Sequence, residues 1–217
     1  MEVKYAEIRQ AIIAAGVKML SCNLVVGTWG NISARIPNEN LFAITPSGVD
    51  YDTIDPTGIV IMDFQGKIVD GLLKPSIEYN LHAAIYRDRS DVNAIVHTHS
   101  EYCTALAIAR KGIPGAAEDL VQIVGGDVRV SKYKLPGSEE LGVEVVKALK
   151  DRNAVILANH GCLGAAKSLN EAMKVVAVVE KSAKATIFAQ VMGGVVELSQ
   201  ADIDFMRNFY LNQYGQR

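Results

Sequence analysis

Little in this 217-residue chain points to a charged or lipid partner. Lys and Arg number 22 against 24 Asp and Glu, a net charge of −2, so no excess positive charge gathers a nucleic acid backbone or an anionic bilayer. No uninterrupted apolar run approaches the ~20 residues that a membrane helix needs. The opening Met1-Glu2-Val3-Lys4-Tyr5-Ala6-Glu7 carries charge where a signal peptide would be apolar. Cysteine is scarce: Cys22, Cys103 and Cys162 are odd in number, widely spaced and without a Cys-x-x-Cys pair. That excludes a disulfide framework and argues against a thiolate metal site, leaving buried free thiols in a reducing compartment as the expectation. The expected location is cytoplasmic, with neither nucleic acid nor membrane as partner. An anionic substrate must then be held by a local site.

What is present is ordinary for a soluble globular protein: 49% apolar and 21% charged residues. A chain of this size buries roughly 70% of its unfolded surface, enough for one large core. Apolar residues at helical spacing from Val3 to Met19 predict an opening helix over 3–22. Strands are predicted near 32–36 and 41–45, then a hairpin over 59–69 turning at Gln65-Gly66. Pro75-Ser76 predicts a helix to about Asp88 with Ser76 as its N-cap. A strand at 93–99 precedes a helix at 100–109, and a short strand is expected at 128–130. Ser138 and Ser168 cap helices running to about Lys150 and Val191, around a buried-type strand at 154–158, and a last helix begins near 199. Strands and helices interleave with no Ser/Pro-rich linker and no repeat, so residues 1–217 are expected to form a single α/β domain.

The chain has four histidines, His82, His97, His99 and His160. His97 and His99 stand two apart at the end of the apolar run Ala94-Ile95-Val96, and residues two apart on a strand face the same way. His160 follows Val155-Ile156-Leu157-Ala158 and precedes Gly161, where backbone can approach closely. Three neutral imidazoles with one open position make a catalytic zinc site. Glu78 reads either as a metal ligand or general base, or as an exposed first-turn glutamate. His82, four residues on, reads as a packing or supporting residue rather than a fourth imidazole ligand. Gly27-Thr28-Trp29-Gly30-Asn31 and Thr45-Pro46-Ser47-Gly48 are hydroxyl-rich turns, and Ser76 opens a predicted helix. Such groups suit a phosphate, although neither turn matches a P-loop or a Gly-x-Gly-x-x-Gly fingerprint and each also reads as plain turn chemistry.

Taken in order, Gly27-Thr28-Trp29-Gly30-Asn31-Ile32-Ser33, Thr45-Pro46-Ser47-Gly48, Lys74-Pro75-Ser76-Ile77-Glu78, Val96-His97-Thr98-His99, Asn159-His160-Gly161 and Tyr214-Gly215 resemble the class II aldolase/adducin family, nearest its L-fuculose-1-phosphate aldolase branch. The resemblance implies a single three-layer α/β/α domain with a central, mostly antiparallel sheet. It implies a zinc ion, with Mn2+ or Co2+ as alternatives, on His97, His99, His160 and Glu78, the last also serving as acid/base. Thr28, Asn31, Ser47, Gly48 and Ser76 would cradle the substrate phosphate. It implies a homotetramer, usually four-fold symmetric in members of this type, with sites between subunits, where Tyr214 would reach a neighbour's site as proton donor. The implied reaction is retro-aldol cleavage of a small ketose 1-phosphate to dihydroxyacetone phosphate and an aldehyde.

Two departures bear on the substrate. Ile77 stands where the aldolase branch has a second serine, and Ala117-Glu118-Asp119-Leu120 replaces a loop tyrosine that meets the aldehyde end. A related 5-deoxy ketose 1-phosphate therefore stands beside L-fuculose 1-phosphate. The alternatives are ribulose-5-phosphate 4-epimerase, methylthioribulose-1-phosphate dehydratase and sugar-acid-phosphate decarboxylase. The epimerases typically have aspartate at the Glu78 position and a loop aspartate near Asp119. A non-catalytic, adducin-like module would lack the histidines.

Overall fold

The computed structural model describes residues 4–216, so Val3 and the rest of the extreme N-terminus lie outside it. Helix α1 (Ala6–Ser21) leads into strands β1 (Asn31–Arg35) and β2 (Leu41–Ile44), then into the hairpin β3 (Val60–Asp63) and β4 (Ile68–Asp70). Helix α2 (Tyr79–Asp88), strand β5 (Ala94–Thr98), helices α3 (Glu101–Ala109) and α4 (Glu118–Val124), and strand β6 (Arg129–Ser131) follow. Helix α5 (Glu139–Leu149), strands β7 (Ala154–Leu157) and β8 (Gly161–Ala166), and helices α6 (Leu169–Val191) and α7 (Gln200–Asn212) complete the described chain.

The strands form one eight-stranded sheet in the order β4-β3-β2-β1-β5-β8-β7-β6. Every neighbouring pair is antiparallel except β6 with β7. The sheet is covered on both faces, which explains the continuous apolar runs in its central strands. On β5, Ile95 joins one core with Phe42, Leu81, Tyr86 and Val145, under α2 and α5. Its neighbour Val96 joins the other, with Ile12, Ile156, Cys103 and Val176, under α1, α3 and α6. The alternation of side chains along a strand thus builds a three-layer α/β/α domain with a mostly antiparallel sheet, as expected.

The predicted caps of α5 and α6 are in place. Ser138 Oγ accepts from Leu141 N and Ser168 Oγ accepts from Glu171 N, satisfying first-turn donors. Three expectations need correction, and one strand lies where none was expected. Helix α2 opens at Tyr79, with Glu78 rather than Ser76 at the N-cap. The reason is that Pro75 bridges Pro46, Ser76 N donates to Thr45 O at 3.0 Å, and Ser47 N donates to Lys74 O at 3.0 Å. Residues 74–76 are thereby claimed as an extension of the sheet before the helix can start. The segment Ala117-Glu118-Asp119-Leu120 is no loop but the start of α4. Strand β8 follows the His160 turn at once, in a Gly- and Ala-rich stretch that reads poorly as a strand. Cys103 and Cys162 are buried free thiols, whereas Cys22 is exposed.

Candidate active site

The end of β5 lies between β1 and β8, with His97 directly opposite Asn31 on one side and Leu163 on the other. His97 Nδ1 donates to the Cys162 carbonyl at 2.9 Å, which turns Nε2 outward. His99 sits just past the last residue of β5. His160 lies in the turn joining β7 to β8, where His160 N donates to Leu157 O at 3.0 Å and Asn159 takes a φ of 57°. A Cβ on Gly161 would stand 2.2 Å from the Thr98 carbonyl oxygen, so only glycine lets that turn press against the β5 terminus.

Three imidazoles and one carboxylate converge there. His97 Nε2 lies 3.0 Å from His99 Nε2 and 3.3 Å from His160 Nε2. Glu78 places Oε2 at 3.2 Å from His97 Nε2 and Oε1 at 3.7 Å from His160 Nε2. All four potential ligand atoms lie within 4.8 Å of one another. A tetrahedral zinc site with bonds of ~2.05 Å needs ligand atoms about 3.3 Å apart. Glu78 is 5% exposed, which removes the reading of it as a surface first-turn glutamate. Its Oε1 is buried without a hydrogen-bond partner among the described residues. Facing ring nitrogens cannot all satisfy one another, and an orphaned carboxylate oxygen beside them asks for a cation. The residues present fit a divalent metal with a three-nitrogen, one-oxygen donor set.

Electrostatics agree. Burial works to raise the Glu78 carboxyl, but His97, by charge and hydrogen bond, and then His160 and Asn31 outweigh it and hold the group well below the usual carboxylate range. Burial works to lower His97, and the Glu78 carboxylate overrides it, so His97 is raised above 6.5. Burial and the neighbouring His97 push His99 down to about 3 and His160 down to about 4. Any proton that the Glu78 carboxylate holds on His97 is one a metal must displace.

Behind the carboxylate, Asn31 Nδ2 donates to Glu78 Oε2 at 2.9 Å. Asn31 Oδ1 lies 2.5 Å from His82 Nε2, and His82 Nδ1 lies 2.6 Å from Ser33 Oγ. Ser33 Oγ lies 2.7 Å from the Tyr86 hydroxyl. Burial pushes His82 down to about 3, so it is neutral at ordinary pH. Ser33 and Tyr86 were not singled out in the sequence, although Ser33 shares a β1 face with Asn31 and Tyr86 lies one helical turn beyond His82.

The metal cluster opens into a cleft of about 430 Å³. Thr28, Asn31, Ser47, Gly48 and Ser76 all line it, together with Glu78, His99 and His160. Lys and Arg are missing from its lining, so an anion there would meet hydroxyls, amides and backbone N–H groups. Trp29, Ile77 and Pro136 supply its apolar wall. The structure does not bring Tyr214 to this cleft: it is 59% exposed and packs on Tyr210 and Phe209 in a separate pocket with Arg207. Asp119 is also outside it, paired with Lys181 at 2.5 Å.

The sequence profile of the Class II Aldolase and Adducin N-terminal domain matches residues 10–187. The 5-deoxy-D-ribulose 1-phosphate aldolase of Bacillus thuringiensis serovar kurstaki is 38% identical over 172 residues, 79% of this chain and 80% of that one. The L-fuculose phosphate aldolase of Escherichia coli K12 is 35% identical over 167 residues, 77% of this chain and 76% of that one. A solved L-fuculose 1-phosphate aldolase superposes with a TM-score of 0.92 at 37% identity, over 97% of this chain and 98% of its own. With these relatives and the metal-competent cluster together, the chain belongs to the class II aldolase and adducin N-terminal domain family, as an aldolase.

Proposed function

We propose that this chain is a zinc-dependent aldolase that cleaves a small ketose 1-phosphate to dihydroxyacetone phosphate and a short aldehyde. The observation that carries the proposal is the meeting, in one cleft, of Glu78, His99 and His160 with the hydroxyl-rich turns around Thr28, Ser47 and Ser76. Zinc, or Mn2+ or Co2+ in its place, would be held by His97, His99, His160 and Glu78, and supplies Lewis acidity for the charge that develops when the C3–C4 bond breaks. Thr28, Asn31, Ser47, Gly48 and Ser76 bind the phosphate and so set the register of the sugar chain. Glu78, displaced from the imidazoles by substrate, would carry a proton to C3 as the C4 hydroxyl gives up its own to become the aldehyde carbonyl, a task suited to a carboxylate that is buried yet flanked by imidazoles.

A 5-deoxy ketose 1-phosphate is the substrate class favoured here. The relative named 5-deoxy-D-ribulose 1-phosphate aldolase and one from Rhodospirillum rubrum, named 5-methylthioribulose-1-phosphate/5-deoxyribulose-1-phosphate aldolase and 34% identical, support this class. Residues 1–217 act as one domain in a cytoplasmic homotetramer. In that assembly Tyr214, remote from its own cleft, reaches a neighbour's site as the proton donor to the aldehyde oxygen in the synthetic direction.

The deciding experiment measures dihydroxyacetone phosphate release from a panel of ketose 1-phosphates, with and without a chelator. Release that vanishes on chelation and returns with zinc is the expected result, and the preferred panel member identifies the aldehyde. A zinc-loaded protein that releases nothing from any member would overturn the aldolase assignment.

A further inference from the structure

We propose that His82 is a positioning residue, the centre of a buried one-way hydrogen-bond chain from Tyr86 through Ser33, His82 and Asn31 that fixes the Glu78 carboxylate for proton transfer. The inference rests on the role proposed above for Glu78. A core histidine that is merely satisfied needs two partners of any kind. This one has partners whose donor and acceptor roles are all determined from one end.

The direction is set at Glu78. An ionised carboxylate only accepts, so Asn31 must present Nδ2–H to it, at 2.9 Å. That turns Asn31 Oδ1 toward His82 Nε2, 2.5 Å away, and makes Nε2 the protonated nitrogen. Nδ1 of the neutral ring is then bare and accepts from the Ser33 hydroxyl at 2.6 Å. The single Ser33 proton is thereby used, and the Tyr86 hydroxyl must donate to Ser33 Oγ at 2.7 Å. Tyr86, Ser33, His82 and Asn31 are each no more than 3% exposed, so this order runs through the interior.

Reversal is disfavoured by the far end. With every bond flipped, the Tyr86 proton would need another acceptor, and among the described residues its hydroxyl meets only Ser33 Oγ. A buried donor left without a partner is costly. The chain is therefore polarised toward Glu78, holding Asn31 donor-side forward where a free amide could flip. Aligned bonds of this kind also strengthen one another in a low-dielectric interior. Both supports of the chain are built in by strand and helix geometry. Asn31 and Ser33 share one face of β1, and Glu78, His82 and Tyr86 follow at four-residue steps from the N-cap into α2.

Two measurements test this. First, long-range nitrogen–proton correlation NMR on the histidine-labelled, metal-free protein reads the His82 tautomer, assigned by its loss in His82→Gln. The Nε2–H form is expected, and the Nδ1–H form would overturn the chain whatever the reaction is. Second, steady-state kinetics are compared in the zinc-loaded enzyme. His82→Phe should lower kcat by about tenfold or more, the scale for losing an outer partner of a metal ligand, with KM changed by less than about threefold. His82→Gln, which can place an amide N–H where Nε2 stood, should recover most of that loss. Equal loss in both variants, or a loss spread evenly over kcat and KM, would reduce His82 to a packing residue. If His82→Phe fails to fold, Tyr86→Phe decides: a smaller fall in kcat alone is expected, and unchanged kcat would overturn the one-way chain. Undiminished turnover in Glu78→Gln would instead remove Glu78 from the reaction, leaving the tautomer result standing by itself.

Discussion

His97 Nδ1 and the Cys162 carbonyl oxygen are 2.9 Å apart across the β5–β8 pair. Because the acceptor is backbone, the imidazole is aimed by the sheet itself, and its Nε2 is committed to the cluster before any metal arrives. Support of this kind from outside the ligand set is general to metal-binding histidines.

Metal affinity should fall steeply on acidification. The Glu78 carboxylate raises His97, so a larger fraction of the metal-free protein carries a proton on the nitrogen that a metal needs than an ordinary imidazole would. Each fall in pH adds to that fraction and sets the proton against the metal. A zinc titration against a competing chelator, repeated at several pH values, should show tighter binding as pH rises through the His97 range. Affinity independent of pH would contradict the pairing with Glu78.

Acid should also destabilise the metal-free fold. His82, His99 and His160 are held down to about 3, about 3 and about 4, from an ordinary 6.5. The unfolded chain takes up protons at these rings below about 6.5, and the folded chain does not until it nears 3 to 4. Protons thus favour the unfolded state across that window, so stability falls as pH drops through it. Melting curves of the chelated protein should show Tm declining over that interval, beyond what His82→Gln and His99→Ala variants show.

His99→Ala should abolish stable metal binding and turnover while sparing the fold. The ring lies past the end of β5 and is only part-buried, so little packing is lost. Zinc analysis of the purified variant, together with far-UV circular dichroism, checks both halves. Full activity in this variant would remove the cluster from the reaction.

Glu78→Gln should keep zinc on the three imidazoles and lower turnover by roughly 10²-fold or more, the usual scale for losing an acid/base group. The KM for substrate should move far less, since phosphate contacts are untouched. Steady-state kinetics on the zinc-loaded variant separates the two parameters.

Gly161→Ala is expected to cost about 3 kcal/mol or more, since its Cβ would stand 2.2 Å from the Thr98 carbonyl and backbone cannot step aside cheaply. The same displacement would swing His160 away from His97. Denaturant unfolding should register the stability loss, and zinc affinity should drop with it.

The sequence by itself determined the parts of this protein that depend on near neighbours. The His97-Thr98-His99 spacing, the Ser138 and Ser168 caps, the hairpin turn at Gln65-Gly66 and the apolar strands are set by local periodicity and backbone chemistry, and the ordered motifs placed the chain among class II aldolases. What only the tertiary structure decided depends on residues far apart in the chain. The bridge from Pro46 to Pro75 moved the start of α2 to Tyr79 and brought Ser47 beside Ser76, which no local propensity encodes. Strand β8 escaped notice because its small residues answer to a helix on top of it. A Cβ on Gly164 would come within 2.8 Å of Val176 on α6, so close packing overrides strand propensity there. The chain from Tyr86 to Glu78 was likewise unreadable, because its bonds join β1 to α2 across more than forty intervening residues. Sequence supplied the ligating and hydroxyl groups. Their convergence on one cleft, and the polarity of the bonds behind Glu78, came from packing helices on both faces of the eight-stranded sheet around the ends of β1 and β5.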